Sequence, residues 1–347
     1  LIKGFLLFLF FMILPDYSYL KKYFSKKRNI VITTHRSPDG DALGSSTALY
    51  DRLRKHGHEV SIIVPNSFPE YLNFVPFNED VIIFEDNEEE SEGLIKNADT
   101  FFFLDFNDYS RIDLMEHLIS NHDGYKIMID HHQSPSINAD QILSDISICS
   151  TAELMYNFLK ELEFGLSSES AKSLYTGIVT DSGSFKYELV SKKTHIIISD
   201  LLSYNIDHSS IHRQLYDNNS ISRMKLLGRC LTKNFFIYKE HKTALFFLNQ
   251  DDLKECNFSK GDTEGFVNMP LSLKGIVFSA FFVEYKDGIK ISFRSKNNFD
   301  VNKFSRNHFN GGGHKNAAGG KITDMDLFKT IKYFKSLLPQ YKNQLNS

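Results

Sequence analysis

The chain has 347 residues, of which 41% are apolar, and a formal net charge of -3 at pH 7 with a pI near 6.5. That length suffices for two domains with a core each, and the near-neutral balance excludes a general electrostatic grip on long nucleic acid, so an anionic substrate must be held by a local site. The three dispersed cysteines, Cys149, Cys230 and Cys256, lack C-x-x-C spacing, which argues against a disulfide framework or structural zinc and for a reducing cytoplasm.

In chain order, the apolar run over residues 5–14 falls short of the roughly 20 residues a membrane helix needs, and Pro15-Asp16-Tyr17 offers no small-residue cleavage site. Neither a stable membrane association nor a signal peptide is expected. Met12 lies inside the run, and either translation starts there or the upstream start is misplaced; N-terminal mass analysis of the natively expressed protein tests this, and a mature end near Leu1 contradicts it. An amphipathic helix from Tyr17, carrying Leu20 and Phe24, leads into the β-branched run 30–34, read as a buried strand. Residues 42–57 read as a helix, with Leu43, Ala48, Leu49 and Leu53 at helical spacing and Gly57 as its stop. Between them lies Thr34-His35-Arg36-Ser37-Pro38-Asp39-Gly40-Asp41. This loop leaves the carboxyl end of a strand, where open α/β sheets put their ligands. An imidazole and two carboxylates on a Pro/Gly turn make either a nest for a divalent metal or a plain solvated turn.

Short strands at 60–64 and 81–84, split by a loop with Pro65, Pro69 and Pro76, continue a βαβ rhythm that predicts a largely parallel sheet. The apolar strand 100–104 ends in Asp105, a costly place for a carboxylate unless it reaches water, a cation or a helix end. Asp108 reads as a helix-start residue, and Arg111 as a substrate clamp or a surface ion-pair partner. Strand 126–129 ends in Asp130-His131-His132, and few structural uses require both imidazoles. Ser150-Thr151-Ala152-Glu153 opens a helix, with Ser150 or Thr151 as cap and Glu153 as a first-turn acid or a residue behind the site. Residues 171–179 read as a packed helix leading to Asp181. Four segments thus deliver acids or imidazoles to one edge of one sheet.

From Lys192 to Leu231 the pattern is helical, with a turn at residues 204–207 and a second helix after it; His208 and His212, spaced i, i+4, read as part of a polar face. Strands follow at 235–238, 243–248, 277–285 and 289–294, the last two joined by Lys286-Asp287-Gly288. Arg294 ends its strand, and Gly311-Gly312-Gly313-His314 precedes Ala317-Ala318, read as helical. Glycine-rich backbone before a helix can present N–H groups to phosphate, and an arginine can clamp the same group.

These residues carry a resemblance. His35-x3-Asp39-x-Asp41, Asp105, Asp130-His131-His132 and Asp181 match the four motifs of the DHH phosphoesterase superfamily, and the run from Gly311 to Gly320 resembles the DHHA1 signature, with Asn310 where the family often has another glycine. In motif order and length the chain is similar to the bacterial nanoRNase/pAp phosphatase group, a branch that also includes cyclic dinucleotide phosphodiesterases. The resemblance implies an α/β protein: a mostly parallel-sheet DHH domain over 17–190, a helical connector over 191–231 and a smaller α/β DHHA1 domain over 232–340. It implies a binuclear site for Mn2+, with Mg2+ or Co2+ as substitutes, in which His35 and Asp39 hold one ion, Asp41, His131 and Asp181 the other, and Asp105 bridges them; mixed carboxylate and imidazole donors suit that metal. A water activated by both ions is then the nucleophile, His132 is catalytic beside the scissile phosphate, and Asp130 orients a ligand imidazole. Arg294, Gly312, Gly313 and His314, with Arg111, are the implied substrate-binding residues, placed so that an inter-domain cleft favours short substrates. The implied reactions are hydrolysis of RNA of about two to five nucleotides and removal of the 3′-phosphate from adenosine 3′,5′-bisphosphate (pAp). The alternatives are a cyclic di-AMP/pApA phosphodiesterase and a catalytically dead nucleotide-binding regulator. Inorganic pyrophosphatase and RecJ-like action on long strands are disfavoured, a cytoplasmic location is expected, and a homodimer stays open.

Overall fold

The computed structural model describes residues 14–313 and 315–346, so the Met12 start and His314 lie outside the described residues. The chain divides into two compact units, one ending at Asn218 and the other beginning at Asn219. Among the described residues no helix is long and apolar enough to cross a membrane.

The first unit runs α1 (Tyr17–Tyr23), β1 (Asn29–Thr34), α2 (Gly40–Lys55), β2 (Glu59–Val64), β3 (Val81–Ile83), α3 (Glu88–Lys96), β4 (Thr100–Leu104), α4 (Glu116–Ile119), β5 (Tyr125–Asp130), β6 (Gln141–Ser144), α5 (Thr151–Glu161), α6 (Ser168–Asp181), α7 (Lys192–Leu202) and α8 (His208–Tyr216). Its six strands lie in the order β3-β2-β1-β4-β5-β6, every pair parallel. Both faces of the central strands are buried, which is why they read as unbroken apolar runs. Ile30, Ile32, Phe102 and Leu104 join the core under α2, α5 and α6, while Val31, Phe101 and Phe103 join a second core with Ile95, Met115 and Ile119. Strand order reverses between β1 and β4, so the loops leaving these neighbours diverge and open a crevice at the carboxyl edge.

The second unit runs α9 (Ile221–Thr232), β7 (Phe235–Tyr238), β8 (Thr243–Leu248), α10 (Gln250–Glu255), β9 (Phe278–Tyr285), β10 (Gly288–Ser295), α11 (Val301–His308), β11 (Gly312–Gly313), β12 (Ala317–Ile322), α12 (Leu327–Leu337) and α13 (Lys342–Asn346). Its sheet, in the order β11-β12-β10-β9-β8-β7, is antiparallel except between β8 and β9. Phe278, Phe282, Phe293, Phe304, Phe309 and Phe334 fill one face with tilted and edge-on ring pairs.

Two sequence expectations are corrected. Ala317-Ala318 is strand, not helix: the two residues pair with Arg294 and Phe293 of β10, and the Gly319-Gly320 that follows disfavours a helix. The helical stretch after Lys192 holds three helices rather than two, because Asp217-Asn218-Asn219 breaks it and Ser220 caps α9. Strand β6 was not anticipated; it extends the sheet by pairing with β5.

Candidate metal centre

The site begins where β1 ends. His35 Nδ1–H donates to the Arg36 carbonyl at 2.9 Å, which aims Nε2 at Asp105 Oδ2, 3.5 Å away, and at Asp39 Oδ2, 3.9 Å away. The loop then turns through Ser37 at φ +56°, where the Ser37 N–H donates to Asn66 Oδ1 at 2.6 Å. Asp39 caps α2, its Oδ1 accepting the N–H groups of Asp41 and Ala42, so Oδ2 remains for the His35 side. Asp41, in the first turn of α2, is buried against another helix start: Oδ2 accepts Thr151 N–H at 2.6 Å and Oδ1 accepts Ala152 N–H at 2.8 Å. Those are free first-turn donors of α5, so a helix end and a carboxylate satisfy each other.

Asp105 follows β4 in the left-handed region at φ +66°. Its Oδ2 faces His35, and its Oδ1 faces His131 Nε2 at 3.5 Å and His132 Nδ1 at 3.7 Å while accepting the Thr151 hydroxyl at 2.9 Å. His131 Nε2 also lies 3.5 Å from Asp181 Oδ2 at the end of α6. Asp130 is fully buried and holds His132, accepting its ring Nδ1–H at 2.7 Å and its backbone N–H at 3.1 Å. The imidazole that Asp130 holds is thus His132.

Helix spacing decides whether Asp181 arrives. A Cβ at Gly44 of α2 would lie 2.4 Å from the Ser173 carbonyl of α6, and one at Gly177 of α6 would lie 2.7 Å from Ala152 Cβ and 3.0 Å from Asp41 Oδ1. Glycine at these two positions lets α2, α5 and α6 approach closely enough to bring Asp41 and Asp181 to one point.

Three overlapping trios result, with donor atoms within 4.8 Å of one another: His35, Asp39 and Asp105; Asp105, His131 and His132; and Asp41, His131 and Asp181. Burial, then the charges of Asp105, Asp181 and Asp39, push the Asp41 carboxyl well above the usual carboxylate range. Burial likewise raises Asp181 to about 6 against the pull of His131. Burial would raise Asp105 too, but His35, His132 and His131 outweigh it and hold this carboxyl well down. Burial alone would lower His35 and His131; the carboxylates around them reverse that, so both rise. Crowded acids among imidazoles form a donor set that fits a divalent cation, whose positive charge would offset the mutual repulsion of the Asp41, Asp105 and Asp181 carboxylates.

The remaining candidates fall elsewhere. The Arg111 carbonyl accepts the Arg36 N–H at 2.7 Å, and the Arg111 charge bears on His35, which puts it beside the centre. Asp108 accepts the Ser110 N–H and starts a short helical turn. Glu153 is buried, taking the Thr194 hydroxyl and the Cys149 thiol, and His212 lies 3.2 Å from the Tyr175 hydroxyl. In the second unit Arg294 Nη1 donates to the Phe293 carbonyl, and Gly312 and Gly313 form β11, with Gly313 N–H donating to Asn302 Oδ1 at 3.1 Å. Sequence reasoning passed over Asn66, Gly44, Gly177 and the roles of Thr151 and Ala152; only the Ser150-Thr151 cap gave a signal.

The DHH family, N-terminal domain, matches residues 29–178, and the DHHA1 domain matches residues 241–338. The bifunctional oligoribonuclease and PAP phosphatase NrnA of Bacillus subtilis is 30% identical over 306 residues, which are 86% of this chain and 90% of that protein. The chain belongs to the DHH/DHHA1 phosphoesterase family. The protein of the same name from Thermus thermophilus is 28% identical over 298 residues, 86% of this chain and 85% of that one. Among solved structures, an exopolyphosphatase-related protein from Bacteroides fragilis is 39% identical, with a TM-score of 0.92 over 95% of this chain and 97% of that one. The tripeptide Asp130-His131-His132 spells the family's name in one-letter code, and membership makes this DHH protein a phosphoester hydrolase.

Proposed function

We propose that this DHH hydrolase cleaves short oligoribonucleotides and removes the 3′-phosphate of pAp at a centre for two divalent ions, Mn2+ in the first instance. The supporting observation is the placement of Asp105, whose two oxygens face different imidazoles, His35 on one side and His131 and His132 on the other. That is the posture of a carboxylate shared between two sites, His35 with Asp39 and Asp41 with His131 and Asp181. His35, Asp39, Asp41, Asp105, His131 and Asp181 would hold the two ions, which would supply Lewis-acid chemistry toward a water and the phosphoryl oxygens. The chain supplies the rest. Asp130 fixes the His132 ring so that the imidazole can stabilise charge on the phosphate or protonate the leaving oxygen. Arg111, whose charge bears on His35, is assigned to steady a phosphate. Arg294, Gly312, Gly313 and His314 are assigned to the substrate's nucleotide. The short-substrate preference follows the names of the relatives above, of which the chain spans nearly the whole length, and the near-neutral charge, which disfavours long polymers. A cytoplasmic location accords with it.

The test is phosphate and nucleotide release by the Mn2+-loaded protein from pAp, pApA, an RNA of about five nucleotides, one of about 24, and cyclic di-AMP, with Asp105→Ala as blank. Preference for pAp and the short RNAs is expected. Fast cyclic di-AMP cleavage moves the protein to signalling turnover, and silence on every substrate with ions bound makes it a nucleotide-binding regulator.

A further inference from the structure

We infer that Thr151 is a positioning residue that ties the two halves of the centre together. The inference rests on the two-ion reading above. Thr151 is the first residue of α5, is fully buried, and spends both of its donors on candidate ligands: its backbone N–H on Asp41 Oδ2 at 2.6 Å and its hydroxyl on Asp105 Oδ1 at 2.9 Å. Asp41 comes from α2 and Asp105 from the end of β4, so no local geometry relates the two carboxylates. One residue of a third element does.

The two bonds do different work. A first-turn N–H has no acceptor within its own helix, so its direction is set by α5 and holds whatever side chain stands at 151. The hydroxyl has one proton to give, and a carboxylate can only accept it. Donation to Oδ1 fixes the plane of the Asp105 carboxylate, with Oδ2 toward His35 and the remaining Oδ1 lone pair toward His131 and His132. Without that donor, the rotation of this carboxylate is left to the three imidazoles around it. The β-branch narrows the hydroxyl's own torsion, so the donor is itself held in place.

Thr151→Val keeps the shape and the N–H but removes the hydroxyl, whereas Thr151→Ser keeps the hydroxyl and loses a methyl. Mn2+ binding to each full-length variant is measured by calorimetric titration, together with the electron paramagnetic resonance signal of the coupled ion pair. The Val variant is expected to bind at least one ion about 10- to 100-fold more weakly and to lose the coupled signal, while the Ser variant stays within about threefold of wild type. Should the Val variant not fold, Thr151→Ala against Thr151→Ser gives the same contrast. Wild-type affinity and coupling in the Val or Ala variant overturn the inference, as does a Ser variant as weak as the Val. A wild-type chain that binds no ion pair overturns the two-ion reading itself, and the inference with it.

Discussion

Asp130 and His132 show how a buried charge is spent on orientation. Asp130 gives both carboxylate oxygens to one neighbour, the ring and the backbone of His132, and is sealed from solvent. Asp130→Asn keeps the shape but removes the negative charge that fixes the tautomer, so kcat on pAp is expected to fall about 10- to 100-fold with Mn2+ affinity unchanged; a variant that loses the ions instead shows that Asp130 serves His131. The ligand side chains also set a pH dependence. In the metal-free protein Asp41 and Asp181 are raised above 3.8, and His35 and His131 above 6.5, so at these four groups the folded chain holds more protons than the unfolded one, while His58, His212 and His308, lowered by burial, act oppositely below 6.5. Stability is therefore lost as pH rises, for Asp181 between 3.8 and about 6 and for the two histidines from 6.5 up through their raised values. Asp105, held low, acts oppositely but only below 3.8. The chelated protein should melt at a lower temperature near pH 8 than near pH 6, and Mn2+, which binds the deprotonated set, should raise Tm more at the higher pH. A Tm for the chelated protein that is flat over that range contradicts these assignments.

At the scale of elements, the crossing of α2 and α6 is the part of the site least forgiving of volume. Because the atom that a Gly44 Cβ would meet is the Ser173 backbone carbonyl, no side chain can swing aside, and the helices must part. Gly44→Ala is expected to cost about 1–3 kcal/mol by overpacking, read as a lower melting temperature, and to weaken Mn2+ binding as Asp41 and Asp181 separate. A variant equal to wild type in both shows that the crossing tolerates a methyl. The same elements show what sequence can reveal. The strands β1, β4 and β5 and the ligands that follow them were legible because a strand buried on both faces is a continuous apolar run, and a carboxylate or imidazole at its end has few bland explanations. Strand β6, a short edge strand with a mixed Gln-Ile-Leu-Ser sequence of which only Leu143 and Ser144 are buried, carries no such signature. Ala317-Ala318 was misread because local helix preference favours alanine, whereas its state is decided by β10 alongside it, a non-local partner. The contact of Asp41 with the start of α5 joins residues more than a hundred positions apart, and the glycines that make room for α6 mean nothing until the helices are seen to cross.

For the whole molecule, the question is what each unit does alone. Every candidate ligand belongs to the unit ending at Asn218, which has its own six-stranded sheet and its own cores on both faces. Arg294, Gly312 and Gly313 belong to the other unit, whose phenylalanine core is likewise its own. A fragment ending at Asn218 is therefore expected to melt cooperatively and to bind two Mn2+ ions within about tenfold of the full chain, since none of the donors or the groups that hold them is removed. It should still hydrolyse a simple aryl phosphodiester, which asks only for the centre. Its kcat/KM on pAp should fall by about two orders of magnitude or more, mostly through KM, because binding energy from the nucleotide is what the missing residues are proposed to supply. Equal kcat/KM on pAp for fragment and full chain would remove the nucleotide-binding role from the second unit. A fragment that binds ions but cleaves neither ester would mean that the second unit contributes to the chemical step itself, and Arg294 would be the first residue to substitute.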